Sequence, residues 1–296
     1  MKYSRLRMPT IKVALACVTM AALPHTVGAM PMGYALANGG DTLLSFDLAN
    51  PSAASSLALT GGTLDAIDFR PATGQLYGYD DSTNAYFTVD LMSGVLTTTS
   101  VAPVAPTMTP LLDIDWNPTI DRMRLVTADD SNVVFNPDNG ATTQVTDLAY
   151  DAGDANNGVN PNIVANGYTN SMAGAVATQQ YALDSNLDVL TTLANNAGTL
   201  STVGMTGVDF NDDAALDILT TGMVNVAYAV LTTIDGTGLY TVDLGTGSAT
   251  LIDAFSSSFT GITGLAVTHV PVPSAAILML AGIGMMVRQH NKASGA

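Results

Sequence analysis

Along most of the chain, apolar and polar residues alternate in short runs, each closed by a cluster of Gly, Asp, Asn, Ser or Pro. The stretch from Leu64 to Ser100 shows the pattern most clearly. "LDAIDF" reads as a strand, "RPATG" as a turn, "QLYGY" as a strand, "DDSTN" as a turn, "AYFTVD" as a strand, "LMSG" as a hairpin turn and "VLTTTS" as a fourth strand. Successive strand side chains point to opposite faces, so this alternation fits a half-buried sheet. The Gly and Asp/Asn clusters supply the backbone conformations that tight turns need. The hairpin half recurs as "LLSFDLANPSAASSLAL", "NVVFNPDNGATTQV", "QYALDSNLDVLTTL" and "LYTVDLGTGSATLI". No comparable stretch carries a helical apolar period outside the two ends of the chain.

The repeat has a measurable period. An apolar-Asp-aromatic signature occurs as "IDF" (Ile67 to Phe69), "IDW" (Ile114 to Trp116) and "VDF" (Val208 to Phe210). Its aspartates, Asp68, Asp115 and Asp209, are 47 and 94 residues apart, which places a missing copy at Asn162. Four strands in a unit of that length is the period of a propeller blade. The first part of the domain, Tyr34 to Leu59, offers three strands without the leading one, and Gly261 to Thr268 offers a lone strand. Pairing these two incomplete ends closes a ring without exposed edges. The expectation is therefore an all-β, five-bladed β-propeller whose N- and C-terminal strands share one blade, with a sixth blade between Asn195 and Val230 as the alternative.

Composition supports the fold class and bounds the function. The chain has 25 acidic residues, all Asp, and Asp favours turns where Glu would favour helices. Four of the nine basic residues lie before residue 30 and two after residue 270, leaving Arg70, Arg122 and Arg124 between them. Three arginines against 25 aspartates give that domain a formal charge of −22, which repels nucleic acid and anionic lipid. Residues 1–29 combine a basic start, an apolar run from Val13 to Leu23 and a small-x-small end at Ala29, the pattern of a secretory signal. The single cysteine, Cys17, lies in that leader, so the exported domain of residues 30–270 holds no disulfide.

Residues 271–296 place Pro271 and Pro273 before an apolar segment, Ala275 to Val287, and a basic tail. This layout resembles the PEP-CTERM sorting signal, with Val272 where that signal has Glu; a plain membrane tail is the alternative. The resemblance implies an exosortase-type enzyme as a partner, and membrane contact only through this segment. Within the domain, "GTLDAIDFRPATGQLYGY", "DIDWNPTIDRMRLVT", "NPDNGA", "YTNS", "GVDF", "VAYAVLT" and "GLYTVDLGTGSATLI" together resemble the bacterial family known as domain of unknown function 4394. The resemblance covers about residues 33–268 and implies export, without implying an established activity.

Candidate chemistry is confined to carboxylates. Asp68, Asp115 and Asp209, with Asn162 in the gap, fall at equivalent points of the repeat, and two readings stand. They form a partial ring that holds a cation such as Ca2+, which takes several oxygen ligands, or each caps its turn or pairs with Arg70 or Arg124 and serves its own blade. "DFNDDAALD" offers Asp209, Asn211, Asp213 and Asp217 at calcium-loop spacing, but Ala214 and Thr220 stand where such a loop has Gly and Glu. An acidic turn is the simpler reading there, as a solvated connector is for "DAGDANNG". No other cofactor is indicated. His25, His269 and His290 lie in or beside the terminal segments, and the domain has no cysteine and no G-x-S-x-G elbow. Asp80 and Asp81 are read as a solvated turn. The arginines are read as ion-pair partners, with anion binding as the alternative. These observations point to a secreted or cell-surface bacterial propeller that binds or scaffolds an envelope or matrix component. The rival is a glycan-active or other hydrolytic enzyme using channel-mouth aspartates.

Overall fold

The computed structural model describes residues 30–101 and 112–270, and the expected leader and sorting segment lie outside them. Five small antiparallel sheets stand around one axis. Blade 1 contains β1 (Met30–Ala37), β2 (Thr42–Asp47) and β3 (Ser55–Ala58). Blade 2 contains β4 (Ala66–Phe69), β5 (Leu76–Asp80), β6 (Ala85–Val89) and β7 (Leu96–Val101). Blade 3 contains β8 (Leu112–Asn117), β9 (Arg122–Thr127), β10 (Asn132–Asn136) and β11 (Ala141–Gln144). The chain then passes through β12 (Ala149–Tyr150) into blade 4, made of β13 (Ile163–Tyr168), β14 (Gln180–Asp184), β15 (Val189–Ala194) and β16 (Thr199–Met205). Blade 5 contains β17 (Ala214–Thr221), β18 (Val224–Thr233), β19 (Gly236–Val242) and β20 (Ala249–Ala254), and β21 (Thr263–Val270) returns to blade 1.

The ring closes as the incomplete ends of the repeat predict. β21 pairs antiparallel with β1 from Met30–Val270 to Leu36–Thr263, making it the innermost strand of blade 1. The interval from Asn195 to Val230 builds the outer edge of blade 4 and the start of blade 5, so there are five blades and not six. Blade 4 carries one more strand than expected: β12 adds to the outer edge of β16 in parallel. That short strand covers an edge which would otherwise present unpaired backbone groups. Among the described residues, no helix is long and apolar enough to cross a membrane.

Each blade interface has its own apolar cluster, because strands sandwiched between two blades are buried on both faces. Leu36, Leu64 and Ile67 fill the gap between blades 1 and 2, and Trp116, Tyr79 and Phe135 the gap between blades 2 and 3. In the latter, Tyr86 stacks on Phe135 with ring centroids 3.8 Å apart. Outer hairpin glycines let neighbouring blades approach closely. Gly94, at φ 72°, lies against the Ala58 carbonyl of blade 1, and Gly247, at φ 82°, lies against Gly204 of blade 4. A Cβ at either place would collide with backbone, and the positive φ disfavours any other residue.

Candidate functional site

The innermost strands β4, β8, β13, β17 and β21 touch one another in that order around the axis. Four of their side chains are carboxylates closed off from solvent: Asp68, Asp113, Asp115 and Asp217, all at most 3% exposed. Each stitches its blade to another. Asp68 Oδ2 accepts the Trp116 N–H of β8 at 2.9 Å. Asp113 Oδ2 accepts the Asn166 N–H of β13 at 3.0 Å, and Asp115 Oδ2 the Tyr168 N–H at 3.2 Å. Asp217 Oδ2 accepts the Val267 N–H of β21 at 2.6 Å. The step of two residues on both β8 and β13 shows that these axial strands run parallel. Asp68, Asp113 and Asp217 also accept the N–H of the residue that follows them. The repeated Asp is thus a clasp for backbone N–H groups that have no strand partner on the axial side.

Oxygens of Asp68, Asp115 and Asp217 all lie within 4.8 Å of one another. Burial raises the pKa of all four carboxyls, because removal from water disfavours the charged form. For Asp68 the Asp217 charge adds to burial, and for Asp115 the charges of Asp68, Asp217 and Asp113 add to it. Asp217 is pushed up to about 7, its bonds from Val267 and Ile218 opposing the effect of burial.

This arrangement corrects the sequence expectation in one member. Asp209 is exposed and precedes the axial strand, while Asp217 on β17 occupies the ring. The "VDF" segment serves a different purpose, as Phe210 is buried between blades 4 and 5 with its N–H held by Asp188 Oδ1 at 3.2 Å. The calcium-loop spacing is also undone, because β17 begins at Ala214 and an extended chain carries Asp217 about 13 Å beyond Asp213. Asp213 stays partly exposed, and Asn211 accepts the Asp213 N–H in a local turn. Asn162 is not in the ring either; its amide donates to Ser185 Oγ and Asp212 Oδ1, both at 2.7 Å. Gly167 stands before the clasped Tyr168 as Asp115 stands before the clasped Trp116, and a Cβ there would press on Ile218 at 3.1 Å.

The remaining candidates are placed as follows. Asp80 is buried and accepts from Ser82 and Thr83 hydroxyls at 2.7 and 2.6 Å, so it is not a solvated turn. Asp65, Asp80 and Asp81 form a second carboxylate group, with Asp65 pushed up to about 7 chiefly by burial, the hydrogen bond from the Asp81 N–H opposing the rise and the Asp81 side chain adding to it. The connector "DAGDANNG" is tied down by Asp154, which accepts the Thr202 N–H at 2.7 Å. Arg70 pairs with Asp121 and lies over the Trp116 ring at 5.1 Å. Arg122 reaches Asp138 at 3.3 Å. Arg124 departs from the expected ion pair: it is buried and donates to Asn132 Oδ1 and Asn196 Oδ1 at 2.7 Å and to Tyr168 Oη at 3.4 Å. Sequence reasoning missed this amide-rich contact between blades 3 and 4, since its members lie tens of residues apart.

Beside the carboxylates, the C-terminal parts of β4, β17 and β21, with the segments that follow β4 and β13, surround a bowl of ≈330 Å3. Phe69, Met172, Leu219 and Val267 form apolar walls, Ser171, Thr220 and Thr268 bring hydroxyls, and Arg70 is the one charged residue of the lining.

The sequence model of the family described as Domain of unknown function (DUF4394) matches residues 42–266. No curated protein matches the chain. Among solved structures, a chain of a nidogen/laminin complex is similar, with 13% identity and a TM-score of 0.49 over 80% of this chain and 98% of that one. A gluconolactonase from Xanthomonas campestris is similar with 11% identity and a TM-score of 0.43, over 75% of each chain.

Proposed function

Given that the chain belongs to the DUF4394 family, we propose that it is an exported propeller of the bacterial surface or extracellular matrix that binds or scaffolds without catalysis. The observation that carries this reading is the separation of acid from opening. The bowl at the channel mouth is lined by apolar and hydroxyl side chains and by Arg70, with no carboxylate in its wall. The axial aspartates lie beside it, buried and engaged with backbone N–H groups. A hydrolytic site of the paired-carboxylate kind needs two acids that reach the substrate from solvent. An apolar concavity with a few polar groups is instead the usual form of a binding site.

The export part of the proposal rests on the leader and tail of the sequence. Fractionation of the producing cells is expected to find the protein in the surface or medium fraction. To test binding against turnover, the purified protein is incubated with insoluble cell-wall and matrix polysaccharides. Retention without release of reducing ends is the expected result. Release that disappears in Asp68→Asn would favour the hydrolytic alternative.

A further inference from the structure

The two ends of the ring differ in what their loops expose. Because the strands of each blade alternate in direction, the hairpins between second and third strands all lie at the end away from the bowl. Every one of them carries an aspartate: Asp41, Asp81, Asp129, Asp188 and Asp235. The hairpins between first and second strands lie at the bowl end. Among their described residues the one carboxylate is Asp121, which is paired with Arg70.

Exposed apolar side chains gather at the bowl end of blades 4 and 5. Met172 and Val176 stand in the loop between β13 and β14, and Met223 and Val224 at the tip between β17 and β18, where Met223 is 95% exposed. The two loops are bonded to one another. Asn225 Oδ1 accepts the Asn170 N–H and Thr220 Oγ1 the Ser171 N–H, both at 2.8 Å, and Asn225 Nδ2 donates to Asn170 Oδ1 at 3.2 Å. They therefore form one ridge, and residues 169–179 and 222–224 hold no charged side chain.

Blade 1 has no hairpin at the corresponding place. The ladder of β1 and β21 ends there instead, with Met30 opposite Val270, and β21 packs against β17, so the chain leaves the ring next to the ridge. Five residue steps separate Val270 from Ala275, the start of the apolar run that ends at Val287. An extended chain covers about 17 Å in five steps. An uncharged apolar ridge beside the root of an apolar segment, at the end of the ring away from the acidic hairpins, is the layout of a surface that lies against a membrane. Its side chains gain by leaving water for the interface, and repulsion between the acidic hairpins and anionic headgroups turns the other end outward.

We propose that the ridge of Met172, Val176, Met223 and Val224 docks on the bilayer surface when the apolar run of residues 275–287 is anchored there. This contact rests on the surface location proposed above, and it adds the ring to a membrane contact expected of the tail alone. The bowl then opens beside the bilayer, with Met172 common to its wall and to the ridge. A second copy of the ring fits the ridge less well, since nothing brings two strongly acidic rings together as the tail brings the ring to a membrane.

The test uses the purified full chain with Cys17→Ser, which removes its one cysteine, and adds either Met223→Cys or Ile234→Cys to carry a polarity-sensitive dye. Both positions are exposed, so both variants are expected to fold, and Ile234 lies in the turn between β18 and β19 at the acidic end. On vesicles of phosphatidylethanolamine and phosphatidylglycerol, the label at position 223 is expected to shift its emission to the blue and to be quenched several-fold by nitroxide lipids. The label at position 234 is expected to do neither. Adding Val224→Asp is expected to abolish the response at position 223 while the protein still floats with the vesicles through its tail. Flotation with no response at position 223, or with an equal response at position 234, would overturn the proposal and leave the surface location standing. Failure to float would overturn it together with the anchoring role of the tail. A response at position 223 that grows with protein concentration in the absence of lipid would overturn it in favour of a second copy.

Discussion

The axis and the rim of this propeller treat the same residue, aspartate, in opposite ways. At the rim between blades 2 and 3, Asp121 and Asp138 stay partly open to water and face Arg70 and Arg122. On the axis, Asp68, Asp115 and Asp217 are closed off and face backbone N–H groups and one another. The difference shows where such a charge matters. A solvated ion pair gains little over its hydrated partners, whereas a buried carboxylate that satisfies two N–H groups prevents two desolvated donors from being stranded. Trp116 belongs to both regions, with its backbone N–H on Asp68 and its ring beneath Arg70 and against Tyr77 at 5.0 Å.

That shared residue gives the largest expected effect. Trp116→Ala empties a fully buried position and is expected to cost about 3–5 kcal/mol in urea unfolding. Next, Asp217→Ala strands the Val267 and Ile218 N–H groups and is expected to cost about 2–4 kcal/mol; a loss no greater than that of a rim variant would show that the clasps do not hold the ring. The third effect is pH dependence. The folded state raises the Asp217 pKa to about 7, so it binds more protons than the unfolded chain above the ordinary carboxyl value. Stability is therefore present at low pH and lost as pH rises from about 4 to about 7, on the order of 4 kcal/mol for this group alone. Asp65, also near 7, and Asp130, near 6, act in the same direction. Melting curves at pH 5 and pH 8 check the sign. The smallest effect is Asp121→Ala at the rim, expected to cost less than about 1 kcal/mol and to shrink further in salt.

The architecture was legible because it is repetitive. Strand and turn signals from Leu64 to Ser100 correspond to β4, β5, β6 and β7, and the lone strand near the C-terminus pairs with β1. The ring was legible only where motif and geometry coincide. Asp68 and Asp115 stand in the apolar-Asp-aromatic signature and also on axial strands. In blade 5 the two separate: "VDF" anchors a connector through Phe210, and the axial strand is the following apolar run "AALDILTT". An Asp inside a run buried almost from end to end was the signal that could have picked out Asp217, since an isolated charge there needs a dedicated partner. The contact of Arg124, Asn132, Tyr168, Gln180 and Asn195 had no local signal, because folding alone brings these positions together.

The seam between β1 and β21 also has a mechanical reading. These strands are antiparallel, with Met30 opposite Val270, so the two chain ends leave the blade at the same end of the ladder. Tension applied between those ends would peel the ladder one pair at a time, starting from Met30–Val270, instead of loading all its hydrogen bonds in shear. A protein held by one end alone never experiences that peeling force. Tethered through both ends, the same ring would open at its seam like a zip while the hairpin-linked blades stayed paired.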